Sequence, residues 1–173
     1  TKSKCKAKLP SWYSTKNIYY PNKLNIEQTS SEVLAEYKSK LISGNNFIDL
    51  TGGFGVDSYY FSKQFENIIH CEIDKNLSQI AQHNFKTLKT KNIACVNLNG
   101  IEFLQNNTQI YDWIFIDPSR RNENKGKVFY LKDCTPNLVI HIDTLLKYSN
   151  NIMVKASPML DISIGITELK FVK

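Results

Sequence analysis

Apolar and polar positions follow two rhythms along the 173-residue chain. Short apolar runs, rich in Ile, Val and Phe, recur at 47–49, 67–73, 93–98, 111–117 and 151–156. Runs of that length bounded by polar or glycine-containing stretches predict buried strands. Between them the period changes to that of a helix: 56–65 is amphipathic, and 75–88 turns Leu77, Ile80, Ala81 and Phe85 to one side. A short helix is predicted over 101–106, another from Thr135-Pro136 through Tyr148 with proline at its first position, and a last one over 158–169. Upstream, Thr29-Ser30-Ser31-Glu32 reads as a capping box. It would open a helix whose apolar face is Val33, Leu34, Tyr37, Leu41 and Ile42, ending near Gly44. Repeated strand–helix units predict an α/β fold, a mainly parallel sheet with helices on both faces.

The first strand and its helix are joined by Asp49-Leu50-Thr51-Gly52-Gly53-Phe54-Gly55. Three glycines in four positions let the backbone enter φ > 0 and approach a ligand that a Cβ would hold off. The loop opens onto a helix start, where free N–H groups favour polar or anionic groups. Alone, such a loop is equally an ordinary strand-to-helix turn. The next strand adds Glu72 about twenty residues on, the spacing at which Rossmann-type folds set an acid against a ribose hydroxyl pair. Asp74 then caps the following helix. Val56, Asp57 and Ser58 follow Gly55, so the third glycine of the dinucleotide fingerprint is absent.

Two more strand ends converge on the same rim, where open α/β sheets bind ligands. One is Asn97-Leu98-Asn99-Gly100, in which Asn99 is either a ligand contact or a turn residue. The other is Asp117-Pro118-Ser119-Arg120-Arg121.

Together these stretches resemble the class I S-adenosylmethionine-dependent methyltransferases. The loop is similar to their motif I in the variant that begins with Asp49 and keeps Gly53 and Gly55, with Thr51 at the usual first glycine. The resemblance implies a Rossmann-like class I fold and S-adenosylmethionine held by Asp49, Thr51, Gly52, Gly53, Gly55, Glu72, Ile73 and Asn99. It also implies a contact from Gln28, in a segment equally readable as a helix cap. Asn99 would accept from the adenine amino group through its carbonyl. The Asp117-Pro118 corner resembles the catalytic motif IV, with Asp117 orienting the target atom and Pro118 stiffening the corner. Ser119 and Arg120 depart from the Pro-aromatic sequence of amino-group methyltransferases. The corner looks more like that of base-carbon RNA methyltransferases, yet Lys155-Ala156-Ser157-Pro158 lacks the cysteine those need. Ser119, Arg120, Arg121 and Lys155 are the implied substrate-binding residues. Lys125 and Lys127 would add phosphate contacts, and Phe129 or Tyr130 either stacks a base or packs in the core. As a whole the chain most resembles a bacterial methyltransferase family that carries a THUMP-like domain, a module not found in this chain. An RNA substrate is inherited from that resemblance. A full class I sheet has two further strands, an antiparallel hairpin, so the chain is expected to lack the last strands, with residues 171–173 beginning one.

Charge sharpens the picture. Of a net +6, most lies in the first 45 residues, where eight lysines face only Glu27, Glu32 and Glu36. Residues 1–45 therefore read as a basic arm and leading helix, and 46–173 as the cofactor-binding domain. Residues 1–10 are expected to be flexible, and 11–25 to be irregular and folded over the domain. Lysines of this kind suit RNA phosphates or a merely solvated tail. Cys5, Cys71, Cys95 and Cys134 show no C-x-x-C spacing, and His70, His83 and His141 form no ligand set, so no metal is expected. No run is long enough to span a membrane and the lysine-rich start lacks the apolar core of a secretory signal, which makes the cytoplasm the default. Three functions remain open: an RNA methyltransferase, a protein or small-molecule methyltransferase, and a cofactor-binding module without activity.

Overall fold

The computed structural model describes residues 2–120, 130–157, 160 and 162–169. Four helices come first, α1 (Lys2–Lys8), α2 (Pro10–Ser14), α3 (Lys23–Gln28) and α4 (Glu32–Ser39). Then follow β1 (Gly44–Asp49), α5 (Val56–Phe61), β2 (Phe65–Cys71), α6 (Lys75–Thr87), β3 (Ile93–Val96), α7 (Gly100–Gln105) and β4 (Trp113–Ile116). Two short strands, β5 (Ser119–Arg120) and β6 (Cys134–Thr135), precede α8 (Leu138–Leu145), β7 (Ile152–Val154) and α9 (Ile162–Leu169).

Five strands form one sheet in the order β3-β2-β1-β4-β7, and every pairing in it is parallel. β5 and β6 pair separately and antiparallel. β4 is an unbroken apolar run, and β1 and β2 turn apolar on both sides at Phe47-Ile48 and Ile68-Ile69, because both faces are covered there. On one face Phe47 lies 4.5 Å from Phe61, 4.7 Å from Phe65 and 6.4 Å from Phe115, centroid to centroid. On the other, Ile48, Ile114 and Ile116 pack with Leu104, Leu138 and Leu145. The chain runs outward in opposite directions from β1, so a crevice opens at the C-terminal ends of β1 and β4.

Several boundaries differ from expectation. Residues 2–14 fold as α1 and α2 instead of a flexible tail: Cys5, Leu9 and Trp12 are fully buried, and Trp12 packs 4.9 Å from Phe54. The 11–25 stretch contributes α2 and the start of α3, and its middle is pinned to α6. There Tyr19 exchanges two backbone hydrogen bonds of 2.9 Å with the Asn84 amide and stacks on His83 at 3.8 Å. The capping box does not form. Ser31 is the N-cap of α4, accepting from the Leu34 N–H, and Glu32 reaches away to accept from the Ser11 and Trp12 N–H groups at the start of α2. Most of the apolar face read on α4 is outward: Val33, Leu34, Tyr37 and Leu41 are exposed and only Ile42, just past the helix, is buried, whereas Glu32, Ala35 and Lys38 are buried. Asn137, not Pro136, begins α8, its side chain accepting from the Val139 and Ile140 N–H groups. Residues 171–173 and Pro158 lie outside the described residues.

Candidate functional site

A cleft of about 940 Å³ opens at the C-terminal rim, over the ends of β1, β2, β3 and β4. The glycine loop forms its floor. Gly53 and Gly55 have φ of +58° and +89°, values that penalise any residue with a Cβ. A Cβ on Gly53 would meet nothing nearer than the Thr51 carbonyl at 3.8 Å, so the loop leaves open space there for a ligand. Gly52 is small for another reason, because a Cβ would fall 2.2 Å from the His70 ring. Gly55 caps α5 from behind the loop, against Phe85, and is not among the cleft-lining residues.

Glu72 follows β2 directly and stands across the loop. One carboxylate oxygen accepts from the Gly53 N–H at 2.8 Å and the other from the Asp74 N–H at 2.7 Å. Asp74 caps α6 through the Leu77 N–H. Asn97, which sequence reasoning passed over, donates to the Glu72 and Ile73 carbonyls and so fixes the turn carrying the acid. Asn99 lines the cleft, but its carbonyl accepts from the Ile101 and Glu102 N–H groups at the start of α7. The helix cap thus takes the oxygen expected to face an adenine amino group. Ile73 and Leu98 line the same end of the cleft with large apolar side chains, 70% and 49% exposed.

Asp117, Pro118 and Ser119 line the other end, with Lys155 opposite. Lys155 Nζ forms an ion pair with Asp117 Oδ2, because β4 and β7 are parallel neighbours whose C-terminal ends emerge side by side. Burial holds the Asp117 carboxyl above its usual range, opposed by the Lys155 charge. Thr51, where the family pattern has glycine, accepts from the Asp117 N–H at 2.7 Å and ties the loop to the corner. Ser119 Oγ donates to the Thr135 carbonyl at 3.3 Å, and Arg120 pairs with Cys134 in the β5–β6 ladder. The Arg120 side chain, Arg121, Lys125, Lys127 and Phe129 fall outside what the structure describes.

Two buried polar clusters brace this arrangement. Asp49, 1% exposed, accepts from Ser58 Oγ at 2.7 Å and from the Thr51 N–H at 3.0 Å, while Ser58 also contacts His70 Nδ1 at 3.0 Å. Burial drives the Asp49 carboxyl up to about 7 and the His70 imidazole down to about 4. The second cluster was not foreseen. Lys38 Nζ lies 2.6 Å from Asp57 Oδ1 and donates to Ser30 Oγ at 3.0 Å, and Ser30 donates to Asp57 Oδ2 at 2.7 Å. Gln28, Thr29, Ser30 and Asp57 all line the cleft. Lys8 supports this strap by donating to the Ile26 and Glu27 carbonyls at 3.1 and 2.8 Å. No helix among the described residues is long and apolar enough to cross a membrane. Nor do these residues include a group of three or more His, Cys, Asp or Glu arranged to hold a metal ion.

Comparison with known proteins agrees with the fold. Residues 16–159 match the family described as Conserved hypothetical protein 95, and the chain belongs to that family. A candidate methyltransferase from Porphyromonas gingivalis W83 has a solved structure that superposes with a TM-score of 0.81 at 31% identity, over 94% of this chain and 40% of that one. An uncharacterized RNA methyltransferase of Mycoplasma mobile is 24% identical over 99 residues, which is 56% of this chain and 27% of that protein. A candidate methyltransferase from Streptococcus mutans, solved with S-adenosylhomocysteine, shares the fold at 13% identity and a TM-score of 0.50, over 69% and 65% of the two chains. The fold is that of the class I methyltransferases, and the chain spans well under half the length of the first two relatives.

Proposed function

We propose that this chain is the catalytic part of an S-adenosylmethionine-dependent RNA methyltransferase. The observation that carries the reading is the Gly53 N–H to Glu72 bond of 2.8 Å at the floor of an open cleft that ends at Asp117. The cofactor, when bound, supplies an activated methyl group on a sulfonium centre. Glu72, oriented by two backbone donors, keeps lone pairs for a ribose hydroxyl pair. Ile73 and Leu98 offer apolar faces to the adenine, and Asn99 offers its amide nitrogen. Asp49, Thr51, Gly52 and Gly53 shape the floor, and Gln28 closes it from above; Gly55 acts through the turn.

Asp117 orients the target atom, with Pro118 holding the corner. Holding nucleophile and methyl at near-attack distance contributes up to about 7–11 kcal/mol in favourable systems. Ser119, Arg120, Arg121 and Lys155 serve the substrate side, where basic groups meet phosphate. RNA as the substrate is favoured by the Mycoplasma relative's name and by the lysine-rich start of the chain. Kinship with the THUMP-carrying bacterial methyltransferases belongs to the same proposal, as does a place in the cytoplasm.

Incubation with methyl-labelled cofactor and total RNA tests it. Label is expected in RNA with the wild type, Asp117→Ala should bind cofactor and transfer nothing, and Gly53→Val should bind none. Label entering protein or small molecules alone, or cofactor retained by Gly53→Val, would overturn the assignment.

A further inference from the structure

The end of the cleft assigned to the substrate is built from few chemical parts. Asp117 and Lys155 face each other there as an ion pair, their side chains 32% and 21% exposed, and their neighbours Pro118, Ser119, Thr135 and Ala156 carry no charge. Lys155 Nζ donates to Asp117 Oδ2, which leaves Oδ1 for another donor and two of the three ammonium hydrogens for another acceptor.

The rest of the lining narrows the identity of the methyl acceptor. Methylation through a base carbon is activated by a thiolate that first adds to the ring. The one cysteine among the described lining residues, Cys71, is fully buried, and burial pushes its thiol up to about 12. A base drawn out of its stack is gripped between aromatic or apolar faces. The aromatic residues of the described lining, Phe54 and Phe115, are only 2% and 1% exposed, packed against Trp12 and Phe61, and Tyr130 borders a separate depression.

An acid and an ammonium side by side suit a hydroxyl better than an amine. An amine has one lone pair, which must be the attacking one, and an ammonium donor beside it competes for that pair. A hydroxyl oxygen has two, so one accepts from Lys155 while the other attacks, and its hydrogen points to the carboxylate. Burial already holds the Asp117 carboxyl above its usual range, toward that of a proton acceptor. In RNA the 2′-hydroxyl of the ribose lies open along the minor groove and is reached with the base still stacked.

We propose that the methyl acceptor is a ribose 2′-hydroxyl of RNA, with Asp117 as its proton acceptor and Lys155 as the donor that holds the oxygen. The inference rests on the methyltransferase reading of the same cleft. The oxygen–carbon bond forms as the carbon–sulfur bond of the sulfonium breaks, the sulfur keeping that electron pair and leaving as a neutral thioether. The hydroxyl proton passes to the Asp117 carboxylate and from there to water. Lys155 stays protonated throughout and stabilises the negative charge that develops on the oxygen.

Incubating the chain with methyl-labelled cofactor and unmodified tRNA and rRNA transcripts, followed by complete alkaline hydrolysis, tests it. Alkali cuts RNA through a free 2′-hydroxyl, so label is expected in alkali-resistant dinucleotides. Label in mononucleotides would place the methyl group on a base, overturning this inference and leaving the RNA methyltransferase reading intact. Asp117→Asn supplies a second arm, because an amide oxygen accepts a hydrogen bond from an amine but takes no proton from a hydroxyl. Transfer should fall about 100-fold or more in this variant, the usual scale for loss of a general base, while its affinity for S-adenosylhomocysteine stays within a few-fold of the wild type. Transfer within a few-fold of the wild type would overturn the inference. No label in any RNA from a wild type that binds S-adenosylhomocysteine would overturn the RNA reading, and this inference with it.

Discussion

The same burial favours the uncharged form of both Asp49 and His70, raising the carboxyl and lowering the imidazole, and Ser58 touches both. The carboxyl titrates near 7 when folded against an ordinary 3.8, so across that window the folded chain carries a proton that the unfolded chain has lost. Its contribution to stability therefore falls as pH rises from about 4 to 7. The imidazole titrates near 4 against an ordinary 6.5, so in that window the unfolded chain holds the extra proton. Its contribution rises with pH over the same range. Relative to the wild type, Asp49→Asn should gain stability as pH rises from 4 to 7, and His70→Gln should lose it between 4 and 6.5. Urea midpoints at several pH values check both signs, and pH-independent differences would contradict them. The sequence showed Asp49 as the head of a ligand loop, but nothing in it paired that acid with His70, because the link runs through Ser58 on a different element.

Among the elements, α2 and α4 form the least expected partnership. α2 begins with Pro10, and its next two N–H groups, on Ser11 and Trp12, lack helical partners. Glu32 accepts both, at 2.9 and 3.1 Å, as well as the Ser11 hydroxyl. Glu32→Gln should lower unfolding free energy by about 1.5–3 kcal/mol, the scale for a hydrogen bond to a charged group. Chemical denaturation measures it, and a loss under half a kcal/mol would show the cap to be dispensable. Sequence reasoning saw the same glutamate as the cap of its own helix. It also turned α4 inside out, since hydrophobic spacing identifies the buried face only when polar residues stay outside. Here Glu32 and Lys38 are drawn inward by specific partners, and Val33 and Tyr37 are left at the surface. The strands were easier to place. β1 and β4 are apolar on both sides because helices cover both, so run length alone locates them to within a few residues.

On the scale of the whole molecule, the leading segment wraps the sheet's helical layer. Trp12 is fully buried between Phe54 and Tyr59, and Lys8 holds the Ile26 and Glu27 carbonyls beneath the cleft-lining strap. Removing residues 1–14 should destabilise the fold by at least the ~3–5 kcal/mol usual for deleting one buried tryptophan side chain. It should also speed amide exchange across 26–30. A truncated chain with an unaltered melting temperature would show that the segment is only laid against the surface. Lysine counting alone suggested an appendage, because charge is visible in a sequence whereas the burial of Cys5, Leu9 and Trp12 among those lysines is not.

The parallel sheet divides labour between its two rims. The sheet's share of the cleft lies where strands end, with residues 28–30 and Asp57 added from the helical layer, while the connections that lead into the strands, such as the exposed turn at 106–110, carry none of the chemistry. That turn is a natural anchoring point for a dye or an affinity handle, giving a spectroscopic reporter on the protein without touching the machinery on the far side.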